Sequence, residues 1–592
     1  MSRRPAEAAA RESALRAKLL FYGLFVVAAF MTVRFFLIQV RDGPSLAEHA
    51  YEQRLATVEF AAHRGSIYDR DGATLVRSLP SQSVYAVTAQ ARGDAPQIAR
   101  ALAGVLPDES FADILSSLRS QAPYIQVDHK ITADQADAVE KLALPGIRIV
   151  PEPTGVRFVP SGRLAPSVIG FTGYKENGLD GVEYEYDDLL RGAPGRLQLE
   201  TDEFGRAIPF AKPKVVIAER PGHSLALTID SYLQFNVDLV LRDTVAKWHA
   251  RSGSAIVMDP WTGEVLALAN APDYDLREYA RYSPDVRRDR GVEDAYEPGS
   301  VFKLITAAAA LESGKVTTAD RFALSDRLQV GGYTINNAED GFMAGSGTSE
   351  TLGDIIRFSH NVGAAEVGMR IGAHTLYDMV ERFGFGTRTH VGLPGESPGI
   401  LPRLPDWSET TLPTISFGQG ISTTPIAIAR AYCAIANGGI LLRPRIVSEI
   451  LDANGHVVYS YGREVERRAI SERTAAILRG YLRQVVLHGT GNPTAQVPGY
   501  TTAGKTGTAQ IAEGGHYSAG AYVASFVGFI PAESPRYVIL VKIEKPVGAI
   551  YGSVVAAPAF AEIARIAMMH AGITPSAATR LVRAQAVPKR RT

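Results

Sequence analysis

The sequence of 592 residues predicts a multidomain α/β protein carried on a single N-terminal transmembrane helix. Three observations lead there. Residues 19–40 form one apolar segment of spanning length. Residues 41–225 alternate short strand-like and helix-like pieces. Residues 226–572 place strands at both ends of a helix-rich middle, which implies one sheet with helices on its faces. Composition is that of a globular protein, with 46% hydrophobic and 21% charged residues. The 62 basic residues are balanced by 62 acidic ones, so nothing points to nucleic acid or to a strongly acidic ligand surface. The single cysteine, Cys433, excludes an intramolecular disulfide. It sits in an apolar helical pattern, Ala-Tyr-Cys-Ala-Ile-Ala, and reads as a small core residue rather than a nucleophile. No Cys-x-x-Cys pair, His-Glu-x-x-His or clustered His/Cys set occurs, so no metal site is expected.

Residues 1–18 carry Arg3, Arg4, Arg11, Arg16 and Lys18 against Glu7 and Glu12. Leu19 to Val33 is free of charge, and after Arg34 the run Phe35-Phe-Leu-Ile-Gln-Val40 completes the segment. About 22 residues of helix reach roughly 33 Å, enough for a bilayer core. Arg34 lies toward the outer end, where its side chain can snorkel to the headgroups. The basic flank predicts a cytoplasmic tail over 1–18, and everything after residue 41 on the outer side. A cleavable signal peptide would need a shorter apolar core and a small-x-small site, which Phe-Phe-Leu-Ile-Gln-Val does not offer. The segment therefore reads as an uncleaved signal-anchor. A buried helix of a soluble domain is disfavoured by the length and the flanking charge.

Within 41–225, Ser83–Thr88 and Gly146–Val150 read as strands, and Pro107–Arg119 and Thr132–Leu142 as helices. Two stretches stand out, Arg64-Gly-Ser-Ile-Tyr-Asp-Arg-Asp-Gly72 and Gly178-Leu-Asp-Gly-Val-Glu-Tyr-Glu-Tyr-Asp-Asp-Leu-Leu-Arg-Gly192. By physics alone the first is a hairpin turn and the second a solvated acidic helix. The third unit opens with an alternating strand at Leu225–Asp230 and a helix from about Ser231 to Trp248. Ser254–Ala269 reads as a β-hairpin turning at Asp259 to Gly263. Tyr522–Ile530 and Tyr537–Ile543 make a second strand pair, and a helix from about Pro558 to His570 closes the unit. After Ile573 the composition turns to Pro, Ala, Arg and Lys, the mark of a disordered basic tail.

Three motifs carry candidate chemistry. In Glu297-Pro-Gly-Ser-Val-Phe-Lys303, two breakers precede an Ala-rich apolar run, so a buried helix starts at about Ser300. Ser300 and Lys303 are three apart and share a helix face. A serine becomes nucleophilic when a base takes its proton, and a lysine serves if burial and nearby cations lower its pKa. Ser359-His360-Asn361 follows an amphipathic stretch, Leu352 to Phe358, and offers a hydroxyl and an amide suited to a loop tip in a cleft. Lys505-Thr506-Gly507-Thr508 lies in a strand with glycine at a point of close backbone approach, where a bound peptide could add as a further strand. Each motif alone is weak, since a Ser-x-x-Lys tetrad arises by chance in most chains of this length. The ordered set, with spacings of about 60 and about 145 residues, is specific.

On these residues the chain resembles the class B penicillin-binding proteins, membrane-anchored peptidoglycan transpeptidases, over about residues 15–570. The stretch Arg64 to Gly72 is similar to the Arg-Gly-x-Ile-x-Asp-Arg start of the family's pedestal domain, and Gly178 to Gly192 to its Gly-x-x-Gly-x-Glu segment. The resemblance implies an elongated α+β pedestal (a dimerisation-type domain) over 41–225. It implies a penicilloyl-serine transpeptidase domain over 226–572, with a mostly antiparallel sheet, flanking helices and a helical subdomain. It further implies that Ser300 is acylated by the penultimate D-Ala of a donor stem peptide and that Lys303 is the neutral base. Ser359 and Asn361 would relay the proton and bind the peptide amide, and Lys505 would tune the field. Thr506, Gly507 and Thr508 would bind substrate, with the two hydroxyls on its carboxylate. Backbone N–H groups of Ser300 and Thr508 would form the oxyanion hole. β-Lactams would acylate Ser300 in the same way, and no cofactor is implied.

The middle residue of Ser-x-Asn is His360 here, a position that varies in the family, so it is not read as a general base. The family's usual Asn after Pro272-Asp-Tyr-Asp275 is replaced by Leu276 and Arg277. Phe358–Ala365, Phe383–Gly395 and Gly418–Pro425 are more similar to the division-specific, FtsI-like group than to the elongation group. The resemblance implies divisome partners and an FtsW-like membrane glycosyltransferase, or a RodA-like one for an elongation enzyme. Rival readings are a serine β-lactamase, a D,D-carboxypeptidase and a non-catalytic β-lactam-binding scaffold. The first is much shorter and needs a deacylating base that is not identifiable here. Release of D-Ala without cross-links would mark the second, and the intact motifs speak against the third.

Overall fold

A computed structural model describes residues 4–52, 54–107, 109–152, 155–173, 176–201, 208, 214–337, 348–513 and 516–575. The basic tail expected at the C-terminus therefore lies, over 576–592, outside the described residues, as do residues 1–3. The chain divides into two compact units, one of residues 1–62, 80–153 and 193–220, the other of residues 63–79, 154–192 and 221 onwards.

In the first unit, a helix Arg4–Phe36 runs on through a π-helical turn Leu37–Arg41. The segment Ala9–Arg41 is long and apolar enough to cross a membrane, and its apolar side chains are exposed along its length. Strand Leu55–Phe60 pairs antiparallel with Gly195–Glu200, which pairs in turn with Lys214–Ile217. A second antiparallel sheet centres on Gln82–Val87, flanked by Tyr124–Ile131 and Ile147–Pro151. Val84, Ala86, Ile98, Leu102, Ile114 and Val139 form its core with the covering helices. The helix expected from Pro107 begins at Phe111, because the Ser110 side chain caps it by accepting from the Asp113 N–H. The helix Ala133–Lys141 begins where Thr132 and Gln135 form a capping box.

The second unit contains a six-stranded sheet in the order Val457–Ser460, Val447–Leu451, Ser224–Leu227, Ile67–Tyr68, Thr74–Leu79, Val156–Phe158. The Asp69–Gly72 stretch turns a hairpin, as its Asp-Gly pair suggests, with Gly72 at φ +84°. The acidic stretch behaves differently from a solvated helix. Glu183 is buried, and the buried Arg64 guanidinium donates to it at 2.7 Å and to Asp187 at 2.6 Å. Arg157 donates to the other Glu183 oxygen at 2.6 Å. Two motifs separated by 119 residues thus close into one buried ionic cluster, and burial of Glu183 is tolerated because both its oxygens are paired.

The second sheet of this unit has five strands, β1 (Ser252–Met258), β2 (Val265–Ala271), β3 (Ala503–Glu513), β4 (His516–Ile530) and β5 (Tyr537–Glu544). Their order is β2-β1-β5-β4-β3, antiparallel throughout. Every residue of β1 and β5 is buried, Ser252 and Ser254 of β1 and Lys542 and Glu544 of β5 included. The helices Ser231–Lys247 and Ala557–His570 pack together at this sheet around Leu241, Phe526, Phe560 and Ile563. The helix-rich middle follows β2. Ser300 lies in a 3₁₀ turn, Gly299–Phe302, and the α-helix proper, α1 (Lys303–Glu312), starts three residues later than the sequence suggests. Helix Pro425–Ala436 is buried at every residue and includes Cys433, which is 2% exposed. The expected loop tip at Ser359 to Asn361 is instead a tight corner between α2 (Leu352–Phe358) and α3 (Asn361–Ile371).

Candidate active site

The turn that carries Ser300 is built by glycine contacts. Gly299 has φ +58° and its N–H donates to the Gly418 carbonyl at 3.0 Å. Gly418 has φ +85°, and a Cβ there would lie 2.2 Å from the Gly299 oxygen, so only glycine fits. The turn is tied to the core by the Tyr432 hydroxyl, which donates to the Val301 carbonyl at 2.9 Å, and by the packing of Phe302 on Phe385. Ser300 is partly exposed at the head of α1, while Lys303, on the first position of α1, is fully buried.

At the α2–α3 corner, Ser359 adopts the left-handed conformation, φ +65°. This turns both Ser359 and Asn361 onto Lys303. The lysine Nζ lies 2.5 Å from the Ser359 carbonyl, 2.8 Å from Asn361 Oδ1 and 3.2 Å from Ser359 Oγ. Two of these partners are carbonyl oxygens, which only accept. A neutral amine has two N–H bonds to give them, so its lone pair is left for a hydroxyl. Asn361 is braced in turn by donating Nδ2–H to the Asn336 carbonyl at 3.0 Å.

The third motif arrives on β3, the edge strand of the sheet. Lys505 is fully buried and donates from Nζ to Ser359 Oγ at 2.8 Å, with the Thr506 carbonyl at 3.2 Å and Thr506 Oγ1 at 3.4 Å. Thr506 Oγ1 also meets Thr490 Oγ1 at 2.8 Å. The absence of a side chain at Gly507 lets β3 approach the Ser300 turn. A Cβ there would lie 2.3 Å from Ser525 Oγ, 3.1 Å from Val301 Cγ1 and 3.3 Å from the Pro298 oxygen. Thr508 Oγ1 accepts from the Gly552 N–H at 3.3 Å.

All eight residues singled out in the sequence thus fall in one region. Lys303, Ser359, Asn361, Lys505 and Thr506 share one hydrogen-bond network, and Ser300, Gly507 and Thr508 adjoin it along the chain. The electrostatics follow from burial. Desolvation, and then the charge of Lys505, hold the Lys303 pKa well below the usual lysine range. Desolvation alone brings Lys505 down to about 7. Ser359 Oγ bridges the two amines, 2.8 Å from Lys505 Nζ and 3.2 Å from Lys303 Nζ.

Several contributors were not read from sequence. Glu297 accepts from the Gly420 N–H at 3.0 Å and from the Tyr517 hydroxyl at 3.1 Å, and burial raises its pKa. Gly418 and Gly420 entered the sequence reading only as a subgroup signature, although the Gly-x-Gly spacing is itself a signal of close backbone approach. Thr490, Asn336 and Tyr432 carry no local signal. A cavity of about 580 Å³ bounded by Phe171, Asp180, Arg287 and Glu293 shares no residue with this cluster.

Comparison with known proteins places the chain in a family. The penicillin-binding protein transpeptidase domain matches residues 253–565, and the penicillin-binding protein dimerisation domain matches 59–227. The chain is 33% identical to stage V sporulation protein D of Bacillus subtilis, across 95% of this chain and 87% of that protein. It is 32% identical to the peptidoglycan D,D-transpeptidase FtsI of Escherichia coli, across 94% and 92% of the two. Among solved structures, penicillin-binding protein 3 of Mycobacterium tuberculosis in complex with aztreonam superposes with a TM-score of 0.68 at 28% identity. That match covers 88% of this chain and 98% of the other. A peptidoglycan synthetase from Bifidobacterium adolescentis gives 0.70 at 28% identity, with the same coverage.

Proposed function

The chain belongs to the class B penicillin-binding proteins, and from that premise we propose that it is a peptidoglycan D,D-transpeptidase working through a Ser300 acyl-enzyme. The observation that carries the reading is the convergence of two buried lysines on the Ser359 hydroxyl, one of them three residues after Ser300. A buried amine with a depressed pKa is a base at neutral pH, which an exposed lysine is not.

In this mechanism neutral Lys303 takes the Ser300 Oγ proton as the oxygen attacks the carbonyl carbon of the penultimate D-Ala. The N–H groups of Ser300 and Thr508 hold the developing oxyanion. The C–N bond to the terminal D-Ala then breaks, and its amine leaves with the proton passed from Lys303 through Ser359. Asn361 holds the donor peptide amide. Thr506 and Thr508 hold the terminal carboxylate, Lys505 tunes the field from its buried position, and Gly507 keeps the strand close enough for the substrate to lie along β3. An amine of a second stem peptide attacks the ester, restores Ser300 and leaves a cross-link. A β-lactam follows the same first half and stays attached.

The chain is further assigned a cytoplasmic tail at 1–18, a signal-anchor at 19–40, a pedestal at 41–225 and a transpeptidase domain at 226–572, outside the cell membrane. Support comes from the basic flank of the apolar helix and from the extents of the two family matches. The motifs that resemble the FtsI-like group, with a named FtsI among the relatives, favour septal wall synthesis with an FtsW-like glycosyltransferase and divisome proteins as partners. The test is labelling of the full-length chain in detergent by a fluorescent penicillin. A slowly clearing adduct, absent in Ser300→Ala, is the expected result. A folded wild-type protein that forms no adduct overturns the acyl-enzyme.

A further inference from the structure

The residue between Ser359 and Asn361 does not face the lysines. The His360 ring is 4% exposed and stacks on Phe358, with centroids 5.9 Å apart. Its Nδ1 lies 2.8 Å from Oε2 of Glu350, which is 8% exposed. With Glu350 ionised, Nδ1 must carry the proton and donate. Glu350 sits in the short strand Thr348–Thr351, opposite Phe322 of Arg321–Leu324. Thr351 then caps α2, and Ser359 ends it. The His360–Glu350 bond therefore closes a loop of ten residues, tying the corner that leaves α2 back to the strand that enters it.

That corner is under conformational tension. Ser359 is a non-glycine residue at φ +65°, ψ +35°, an unfavourable conformation that persists only where the surroundings over-determine it. Its backbone is held by the N–H groups of Ser359 and His360, both donating to the Ile355 carbonyl. Its side is held by Lys303 on the Ser359 carbonyl. The buried pair is a further restraint, beside Lys505 on Ser359 Oγ and the Asn361 amide on the Asn336 carbonyl, and among these bonds of the described residues it alone ties the corner to the strand that enters α2.

We propose that His360 is a positioning residue for acylation: its Nδ1–H bond to Glu350 fixes the Ser359 corner so that the Ser359 hydroxyl stays between Lys303 and Lys505. This inference rests on the Ser300 acyl-enzyme reading. In the protein, a displacement of about 1 Å in such a relay corresponds to as much as a hundredfold in rate.

The experiment compares the full-length wild type with His360→Leu, His360→Asn and Glu350→Met. Leucine keeps bulk without a donor. Asparagine places an N–H at the position of Nδ1. For each, two quantities are read with fluorescent penicillin: the fraction of protein that becomes labelled, and the second-order acylation rate constant of that fraction. The expected result is a rate constant about tenfold to hundredfold lower in His360→Leu and Glu350→Met, with the labelled fraction unchanged. His360→Asn should recover to within about threefold, and a double variant carrying His360→Leu and Glu350→Met should be no slower than the slower single one. A merely structural histidine would lower the labelled fraction and leave the rate of the remainder at the wild-type value, which overturns the proposal. So does failure of asparagine to recover the rate. Should the leucine variant not fold, the asparagine and Glu350→Met pair gives the same decision. A wild type that takes no label would instead overturn the acyl-enzyme reading itself.

Discussion

Replacing Lys505 by methionine, which keeps the stem and removes the amine, should change how stability depends on pH. Lys505 is fully buried with a pKa near 7, against an ordinary value of 10.5. Between those values the unfolded chain carries a proton that the folded chain has released, so wild-type stability rises with pH, by up to about 1.4 kcal/mol per pH unit. A single group displaced this far disfavours the folded state by about 4 kcal/mol at pH 7 and by about 1 kcal/mol at pH 9.5. Lys505→Met abolishes that penalty. It also strips partners from Ser359 Oγ and Thr506, an opposing loss of about 1 kcal/mol per hydrogen bond that does not vary with pH. The quantity to measure is therefore the stability difference between variant and wild type by urea unfolding at both pH values and constant salt. It should move by about 3 kcal/mol toward the wild type between pH 7 and pH 9.5. Release of Lys303 from the charge of Lys505 acts in the same direction. A difference that stays constant with pH would refute the reasoning, because it would mean that Lys505 is not held neutral by burial.

Arg64→Met leaves the Glu183 carboxylate buried with Arg157 as its only cationic partner, and Asp187 loses a bond of 2.6 Å. Removing one member of such a cluster should destabilise the second unit by about 3–5 kcal/mol, read as a lower urea midpoint. Gly507→Ala should destabilise the protein by about 1–3 kcal/mol, since a methyl group there would lie 2.3 Å from Ser525 Oγ and press on Val301 and the Pro298 carbonyl at 3.1 and 3.3 Å. Because the methyl pushes β3 away from the Ser300 turn, penicillin acylation should slow in the same variant. Wild-type values for both would mean that β3 has freedom to shift.

How far the sequence carried the reading differs between elements for physical reasons. The membrane-spanning helix was legible because its signal is a sum of transfer free energies along consecutive residues, and its helix Arg4–Phe36 needs no tertiary partner to be apolar. The hairpin of β1 and β2 was legible because its two apolar runs flank a turn of Asp, Pro, Thr and Gly. The order of the three motifs was legible because residue identity at fixed spacing survives any uncertainty about the fold.

Other features depended on pairings far apart in the chain. Glu183 reads as a solvated helix residue until Arg64 and Arg157 are brought to it, 119 and 26 residues away. The corner at Ser359 read as a loop because nothing local announces a serine at positive φ. Among the groups that hold that conformation is Lys303 on its carbonyl, 56 residues upstream. The sequence by itself determined which groups this protein possesses for acyl transfer: a hydroxyl, two amines and an amide, in order. Only the tertiary structure decided that both amines are buried on one serine hydroxyl, and burial is what lowers the pKa of each. Desolvation is a property of the whole packed surroundings, and no stretch of sequence contains it.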